Sequence, residues 1–272
     1  MKNIFISLSF ILFVNNLCAQ KIYLEDFETK LEEKFVYDVS WTFLHIGTIT
    51  LTTERIITRP ELLKIKMDIK SAPLLPFIDI DERNIAIMRV SDGMTFYYYG
   101  KLKKDGKFSE IIIRFYESEN FTVYETKDCD SEKLIRKDTI RNKEPYLVGT
   151  SLIHYARQCV DSGLIKTVPT ILGGKFYPTI LNFCGPIEYI DIDNYNEPIR
   201  SFKYKGFADW KGNATAGLSG EFTGWLSDDE DKVVIYAEMG IFLGSIDIEL
   251  TEWYKPGWTP PTCENLLTQT KK

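Results

Sequence analysis

Histidine-based chemistry would have to use His45 and His154, because the 272-residue chain contains no other histidine. A Ser–His–Asp triad or a multi-histidine metal site needs partners of the right type, and no G-x-S-x-G, H-E-x-x-H or glycine-rich phosphate-loop motif is present. His154 lies between apolar neighbours, and His45 lies in a predicted turn. Lone histidines in such places are more often structural than catalytic. The sequence therefore predicts no catalytic residue, metal or cofactor, and a protein that is not an enzyme.

Three groups of carboxylates could serve glycoside hydrolysis, which needs two acids roughly 5–10 Å apart across a cleft. They lie at 79–82, 191–193 and 228–231. The Asp-Ile-Asp alternation places both acids on one strand face, the solvated one, and the run at 228–231 is typical of a hairpin tip. Residues 191–197 also hint at a calcium loop, but Asn196 stands where an EF-hand has glycine. A glycan hydrolase is therefore the least favoured function.

Aromatic residues make up 14% of the chain and give a stronger signal than the charged groups. Residues 96–99 read Phe-Tyr-Tyr-Tyr, so alternation predicts that Phe96 and Tyr98 share one strand face. One interpretation is a core strand whose tyrosine tips meet polar partners. The other is the wall of an apolar or glycan-binding groove, with the Pro-flanked loop at 72–77 as its lip. On the second interpretation the candidate ligand-binding residues are Phe96, Tyr98, Leu74, Phe77 and Trp225.

The N-terminus predicts export. Lys2 precedes a mostly apolar run over residues 4–14, and a small residue, Ala19, stands before the predicted cut. These are features of a cleavable signal peptide, and the run is shorter than the ~20 residues of a membrane-spanning helix. We predict cleavage after Ala19 and a location in the periplasm or cell envelope. Leu17 stands where lipoproteins have a small residue, which argues against lipidation at Cys18.

The mature chain has a mildly acidic charge balance. Removing residues 1–19 takes away one lysine and no acid, so 33 basic residues become 32 against 39 acidic ones, or −7. Acidic and basic residues are interspersed and form no basic patch, which argues against nucleic acid as a partner. No second segment reaches spanning length, so we expect no transmembrane segment in the mature chain. A chain of about 250 residues fits one large β domain or two small ones.

Four cysteines remain after cleavage: Cys129, Cys159, Cys184 and Cys263. An exported chain can pair four cysteines in three ways. Their spacing contains no C-x-x-C and no accompanying histidine cluster, which argues against zinc. The sequence leaves open one disulfide or a few buried thiols.

Alternation with period two dominates the chain. Phe35, Tyr37 and Val39 point one way, and the same pattern recurs at 63–69 and 202–205. It is typical of strands with one buried and one wet face, as in antiparallel sheets. Turn signals separate further predicted strands. These are 47–57, 84–90, 94–101, 110–117, 121–126, 164–170, 175–182, 220–226, 232–239 and 243–252.

One stretch, residues 150–161, breaks the alternation. Apolar residues from Leu152 to Cys159 recur at i, i+3, i+4 and i+7, the stripe of an amphipathic helix. Thr150 is predicted to cap its start, and Gly163 sits where a helix commonly stops. We expect this helix to pack over the sheet or to plug an open barrel mouth.

Three segments, in order, carry recognisable motifs. They are E-K-F-V-Y-D-V-S-W at 33–41 with Ile46-Gly47, the helical stretch 149–157 ending in arginine, and G-W-L-S-D-D-E at 224–230 with G-S-I-D-I-E-L at 244–250. Together they resemble the bacterial envelope family known as domain of unknown function 3108, over about residues 30–255. The resemblance implies an exported, mostly antiparallel β domain, and it transfers no catalytic residues.

The sequence thus predicts a signal peptide at 1–19, one β-rich domain at 20–255 and an irregular C-terminal tail at 256–272. The predicted fold class is mainly β, an antiparallel curved sheet or open β-barrel-like domain with one packed α-helix. The predicted function is non-enzymatic binding or assembly, with an apolar, lipid-like or envelope ligand. The alternatives are a structural partner in an envelope protein complex, using an edge strand or the aromatic tail around Trp253, Tyr254 and Trp258, and the glycan hydrolase.

Overall fold

The structure, a computed structural model, describes residues 27–73, 79–104, 106–141, 146–210, 220–241 and 244–262. The predicted signal peptide, its cleavage site, Cys18, Leu74, Phe77 and Cys263 lie outside these residues. Within them the chain forms one α-helix, α1 (Gly149–Cys159), and a 3-10 turn at Glu117–Glu119. The strands are β1 (Thr29–Trp41), β2 (Leu44–Ile56), β3 (Leu62–Ser71), β4 (Asp81–Arg89), β5 (Thr95–Lys104), β6 (Lys107–Tyr116), β7 (Phe121–Asp128), β8 (Leu134–Arg141), β9 (Ile165–Leu172), β10 (Lys175–Asn182), β11 (Ile187–Ile192), β12 (Tyr195–Ala208), β13 (Gly220–Ser227), β14 (Val234–Ile241) and β15 (Gly244–Tyr254).

The strands form one 15-stranded antiparallel sheet, ordered β8-β7-β6-β5-β4-β3-β2-β1-β15-β14-β13-β12-β10-β9, with β11 paired beside β12. The pairing of β1 with β15 joins the two halves of the chain. The sheet is curved but does not close, so β8 and β9 are its two edges. The predicted fold class, a curved antiparallel sheet with one packed helix, is confirmed.

Residues 146–148 link the edge strand β9 to the start of β5. The Leu147 N–H donates to the Pro169 carbonyl at 2.9 Å, and the Ile171 N–H donates to the Leu147 carbonyl at 2.9 Å. On the other side the Thr95 N–H donates to the carbonyl of Tyr146 at 3.2 Å. A short segment thus hydrogen-bonds to both β9 and β5.

Helix α1 begins slightly earlier than predicted. Its N-cap is Val148, whose N–H donates to the Ser151 hydroxyl at 3.0 Å, so the hydroxyl satisfies an otherwise unpaired donor. Thr150 lies inside the first turn, and its prediction as the cap was wrong. The helix ends at Cys159, and Gly163 follows in the next turn with a φ of +62°, a conformation that suits glycine.

The inner face, defined as the sheet face that α1 covers, holds most of the core. Leu152 and Ala156 of α1 pack there against Leu181 and Leu226. A second inner cluster surrounds Phe35. The opposite, outer face carries a smaller cluster under β2 to β6: Ile56, Leu62, Ile87, Tyr97 and Ile112. The sheet is therefore covered by apolar contacts on both faces over part of its length.

Alternation located the strands whose two faces differ. Phe35, Tyr37 and Val39 are buried at 1%, 4% and 7% exposure, as predicted. Two strands escaped prediction, β8 and β11, and six of the eight β8 residues are exposed. A strand that is wet on both faces has no hydrophobic period to detect.

The cysteines and the C-terminal segment complete the description. Cys129, Cys159 and Cys184 are free thiols, so no disulfide joins these three. After β15 the chain packs back on the inner core through Trp258, which is 7% exposed and donates from Nε1 to Asp229 at 2.8 Å. Trp258 therefore offers no exposed aromatic surface, whereas Tyr254 of the same predicted aromatic tail is 53% exposed.

Candidate functional site

Two features of the fold could carry function. The first is a buried polar cluster beneath α1, formed by Glu33, Thr53, His154, Arg157 and Lys255. The second is an exposed apolar surface on the outer face of β9, β10 and β12.

The polar cluster joins four parts of the chain. Glu33 comes from β1 and Thr53 from β2, while His154 and Arg157 are three residues apart on one side of α1 and Lys255 follows β15. Positions i and i+3 of a helix are neighbours on its surface, so the two α1 side chains reach the same spot on the sheet.

Glu33 is the centre of the cluster and is only 3% exposed. Both of its carboxylate oxygens receive N–H groups of Arg157, the second at 3.1 Å, in the bidentate arrangement that makes such pairs strong. Lys255 Nζ lies 3.0 Å from Oε2, and the Thr53 hydroxyl donates to Oε1 at 3.0 Å. Arg157 also donates to the carbonyl of Asp231 at 2.8 Å. The carboxylate therefore ties the helix, the sheet and the C-terminal segment together.

The protonation of His154 follows from its neighbours. Its Nε2 lies 3.1 Å from Oγ1 of Thr53, whose single hydroxyl proton is already donated to Glu33. The Thr53 oxygen must therefore accept, and Nε2 of His154 carries the proton. Burial lowers the pKa of His154 to about 3, and the nearby charge of Arg157 acts in the same direction. The imidazole is neutral in the folded protein.

Opposing effects set the pKa of Glu33. Burial raises it, but the hydrogen bond and charge of Arg157, with smaller contributions from His154 and Lys255, lower it to about 2. The carboxylate is thus charged and compensated at neutral pH. Because Glu33, Thr53 and His154 are all less than 10% exposed, a substrate in solution does not reach them. The cluster therefore holds α1 against the sheet, and we call these five residues the clamp.

The three motif segments of the sequence meet at this clamp. Glu33 opens the first segment, Arg157 ends the second, and Asp231 directly follows the turn of the third. The structure therefore gives these motifs a shared physical role in holding the helix against the sheet.

The three predicted ligand-binding residues that the structure describes, Phe96, Tyr98 and Trp225, do not form one surface. Tyr97 stands opposite Ile87 and Thr95 opposite Met88, so Phe96 is the extra residue of a β-bulge. The prediction that Phe96 and Tyr98 share a face was therefore wrong, because a bulge resets the alternation. Phe96 packs in the outer cluster with Tyr97, under the guanidinium of Arg89 at 5.2 Å.

Tyr98 packs instead on the inner face, next to a cluster that includes Ala86 and Tyr146. Its hydroxyl donates to Oδ1 of Asn84 at 2.6 Å, and burial raises the pKa of Tyr98. Tyr98 therefore matches the interpretation of 96–99 as a core strand whose tyrosine hydroxyls meet polar partners.

Trp225 lies in the other half of the sheet, on the outer face, and is 6% exposed. Its Nε1 donates to Glu188 at 2.8 Å, Lys203 Nζ lies 5.1 Å from the ring centroid, and Tyr236 packs at 5.5 Å between centroids. These neighbours cover the indole, so little of its surface faces solvent.

The second feature, which we call the β9 face, consists of two rows of side chains on the outer face. One row runs Thr167, Ile180, Phe207, Glu221, and the next runs Ile165, Asn182, Lys205, Thr223. Ile165 is 62% exposed, Ile180 39% and Phe207 43%. Diagonal neighbours on adjacent strands are about 7–8 Å apart, so these three apolar side chains form one patch.

A depression of about 200 Å³ opens within the β9 face. It is lined by Ile180, Asn182, Lys205, Gly206, Phe207, Glu221, Phe222 and Thr223. The ring of Phe222 crosses Gly206 on the inner side, 2.0 Å from where a β-carbon would stand, so a larger residue at this position would displace the ring. Sequence reasoning missed this patch, because Ile180 and Phe207 become neighbours only through strand pairing.

Among the described residues, no group of three or more His, Cys, Asp and Glu side chains is placed to hold a metal ion. In the same part of the chain, no helix combines the length and apolarity needed to cross a membrane.

Comparison with known proteins identifies a family and a fold. The model of a family described as protein of unknown function DUF3108 matches residues 36–251. No curated protein matches the chain. A crystal structure of a β-barrel-like protein of domain of unknown function DUF1849 from Brucella abortus is similar, with a TM-score of 0.55 and 9% identity over 83% of this chain and 98% of that chain. At that identity the likeness concerns the fold alone.

Proposed function

Because the chain belongs to the DUF3108 family, whose function is unknown, we propose a function from its surface. The protein is an exported, non-enzymatic component of the cell envelope that binds a partner protein through the β9 face. The observation that supports this is the contiguous exposure of Ile165, Ile180 and Phe207 around a depression. Single exposed apolar side chains are ordinary, whereas grouped ones mark interaction sites.

The size of the depression favours a protein partner over a free small molecule. Pockets for drug-sized ligands measure about 300–1,000 Å³, whereas this one measures about 200 Å³. A shallow apolar depression of that size suits one anchoring side chain from another protein, and such anchors supply much of the binding energy of interfaces.

A lipid-like ligand is the alternative occupant, and it would need a larger apolar groove. The inner face is the natural place for one in a curved sheet. There, α1, Tyr146 and Trp258 pack against the strands, and all three are part of the buried clusters. This packing supports a partner on the outer face rather than a lipid within the curve.

The non-enzymatic part of the proposal rests on the polar cluster. Its titratable groups are buried and committed to one another, which suits a stabilising role. Export rests on the predicted signal peptide at 1–19.

The test compares two substitutions of exposed phenylalanines. Phe207→Glu places a charge in the β9 face, and Phe43→Glu makes the same change in the β1–β2 turn, where Phe43 is 96% exposed. Tagged mature protein is cross-linked in its own envelope, purified and analysed by native mass spectrometry. We expect a stoichiometric protein partner with wild type and Phe43→Glu, and its loss with Phe207→Glu. A partner that Phe207→Glu retains, or a stoichiometric lipid in place of a protein, would contradict the proposal.

A further inference from the structure

We infer that the partner binds as an extended strand that lengthens the sheet at the N-terminal half of β9. This inference rests on the proposed function, since it names the kind of partner that the β9 face receives. It follows from the directions of backbone groups in β9 and from the charges around that edge.

The pairing of β9 fixes which backbone groups point outward. The Pro169 carbonyl and the Ile171 N–H both bond to Leu147, on the side away from β10. Backbone groups alternate in direction along a strand, and the β9–β10 register has no bulge. Thr167 and Ile165 therefore direct their N–H and C=O groups to the same open side. Among the described residues, no backbone group bonds to them there.

Two features limit the open stretch. At one end Leu147 occupies the edge, and Pro169 has no N–H to offer. At the other end β9 begins at Ile165, two residues after the turn at Gly163, whose φ is +62°. Between these limits, Ile165 and Thr167 present two donors and two acceptors, enough to align a short extended segment as in other strand-addition complexes.

The opposite edge of the sheet differs in a way that argues against it as the site. β8 carries Arg136, Lys137, Asp138 and Arg141 over eight residues. Closely spaced charges are how natural edge strands avoid pairing with other chains. The open half of β9 carries one charge, Lys166, beside Ile165 and the 50% exposed Leu164. A strand added at the edge of β9 would also lie directly beside the β9 face.

Charge identifies the occupant and excludes a second copy of this chain. In a two-fold pairing of Ile165 and Thr167 with each other, each Lys166 would lie opposite its own copy. Like charges directly opposite across strands destabilise the pair. Among the described residues, no acidic side chain forms an ion pair with Lys166. The complementary partner is therefore a segment with an acidic residue between two apolar residues, its acid opposite Lys166 and its apolar side chains beside Ile165.

Capped, fluorescent peptides test this directly with the mature protein. One has Val-Glu-Val at its centre, and the other has Val-Lys-Val. We expect the acidic peptide to bind roughly tenfold more tightly by fluorescence anisotropy, and Lys166→Glu to invert the preference. N-methylation of the peptide amides that face β9 should abolish binding, whereas methylation of the amides that face solvent should not.

Thr167→Pro provides a second line of test, because it removes an outward N–H without removing a bond to β10. We expect this variant to keep the thermal stability of wild type and to lose the peptide. Absence of charge inversion in Lys166→Glu would refute strand addition. If Phe207→Glu loses the envelope partner while Thr167→Pro keeps it, only this inference fails; if neither variant loses it, the proposed function fails as well. A wild-type dimer in sedimentation that Thr167→Pro abolishes would show that the occupant is a second copy and would overturn the inference.

Discussion

Replacing Glu33 by glutamine should destabilise the protein more than any comparable surface change. Glutamine keeps the shape of the side chain and can still accept from Thr53, but it removes the carboxylate charge that pairs with both Arg157 and Lys255. The carboxyl side chain is 4% exposed, that of Arg157 is 12% exposed and that of Lys255 is 19% exposed. Asp231 would then remain as a partner of both cations. Its carbonyl accepts from Arg157, and its carboxylate lies 3.1 Å from Nζ of Lys255.

The magnitude follows from the burial of the pair. Removing one partner of a buried ion pair leaves an uncompensated charge and lowers the free energy of unfolding by about 3–5 kcal/mol. Domains of 150–250 residues lose roughly 2–4 °C of Tm per kcal/mol. We therefore expect Glu33→Gln to lower Tm by roughly 6–20 °C.

Urea unfolding at pH 7, followed by tryptophan fluorescence, measures this loss. The slope against urea should stay constant, since a change in slope reports a different unfolded or native state. Glu32→Gln is the matched control: Glu32 pairs with Arg55 at 2.5 Å, but the two side chains are 32% and 53% exposed. Its loss should not exceed about 0.5 kcal/mol.

A double variant tests whether the loss comes from the uncompensated charge. Adding Arg157→Met to Glu33→Gln removes both charges, so the combined loss should be smaller than the sum of the two single losses. A Glu33→Gln loss no larger than that of Glu32→Gln, or strictly additive losses, would falsify the description of the clamp.

Two further predictions concern pH and glycine. Because folding lowers the pKa of His154 from 6.5 to about 3, the unfolded chain binds more protons than the folded protein between these pH values. The contribution of His154 to the free energy of unfolding should therefore be fully present above pH 6.5 and should fall by up to about 1.4 kcal/mol per pH unit below it. His154→Gln should remove that slope between pH 6.5 and 4.5, and an unchanged slope would contradict this prediction. Gly185→Ala should lower the free energy of unfolding by about 1–3 kcal/mol, since its β-carbon would stand 2.1 Å from the Lys203 carbonyl oxygen, whereas Gly149→Ala, with open space around it, should raise that free energy by about 0.4–1 kcal/mol. Equal effects of the two alanines in urea unfolding would show that close backbone approach is not what selects glycine.

The polar cluster shows how far motif reasoning reached. Glu33 and Arg157 both stood in the segments that resemble the family, so the sequence marked the residues without indicating that they touch. They are 124 residues apart in the chain. Only the folded sheet, which brings β1 under α1, turns two separate motifs into one ion pair.

The aromatic strand shows where local reasoning fails. Alternation correctly indicates that 96–99 carry side chains to both faces, but a bulge at Phe96 moves that residue from the face of Tyr98 to the face of Tyr97. A bulge depends on the pairing of two strands, so the sequence of one strand does not reveal it.

The sequence by itself determined the class of the protein, the position of its helix and the buried faces of strands such as β1. It could do so because the period of hydrophobic residues is a local property, repeated every two or about four residues. The tertiary structure alone decided the clamp at Glu33, the outward direction of the Ile165 backbone groups and the β9 face, where Ile180 and Phe207 meet across two strands. These features depend on register and curvature, which arise from contacts between residues far apart in the chain. The proposed function lies in that second group, and for that reason it could be argued only once the strands had been placed side by side.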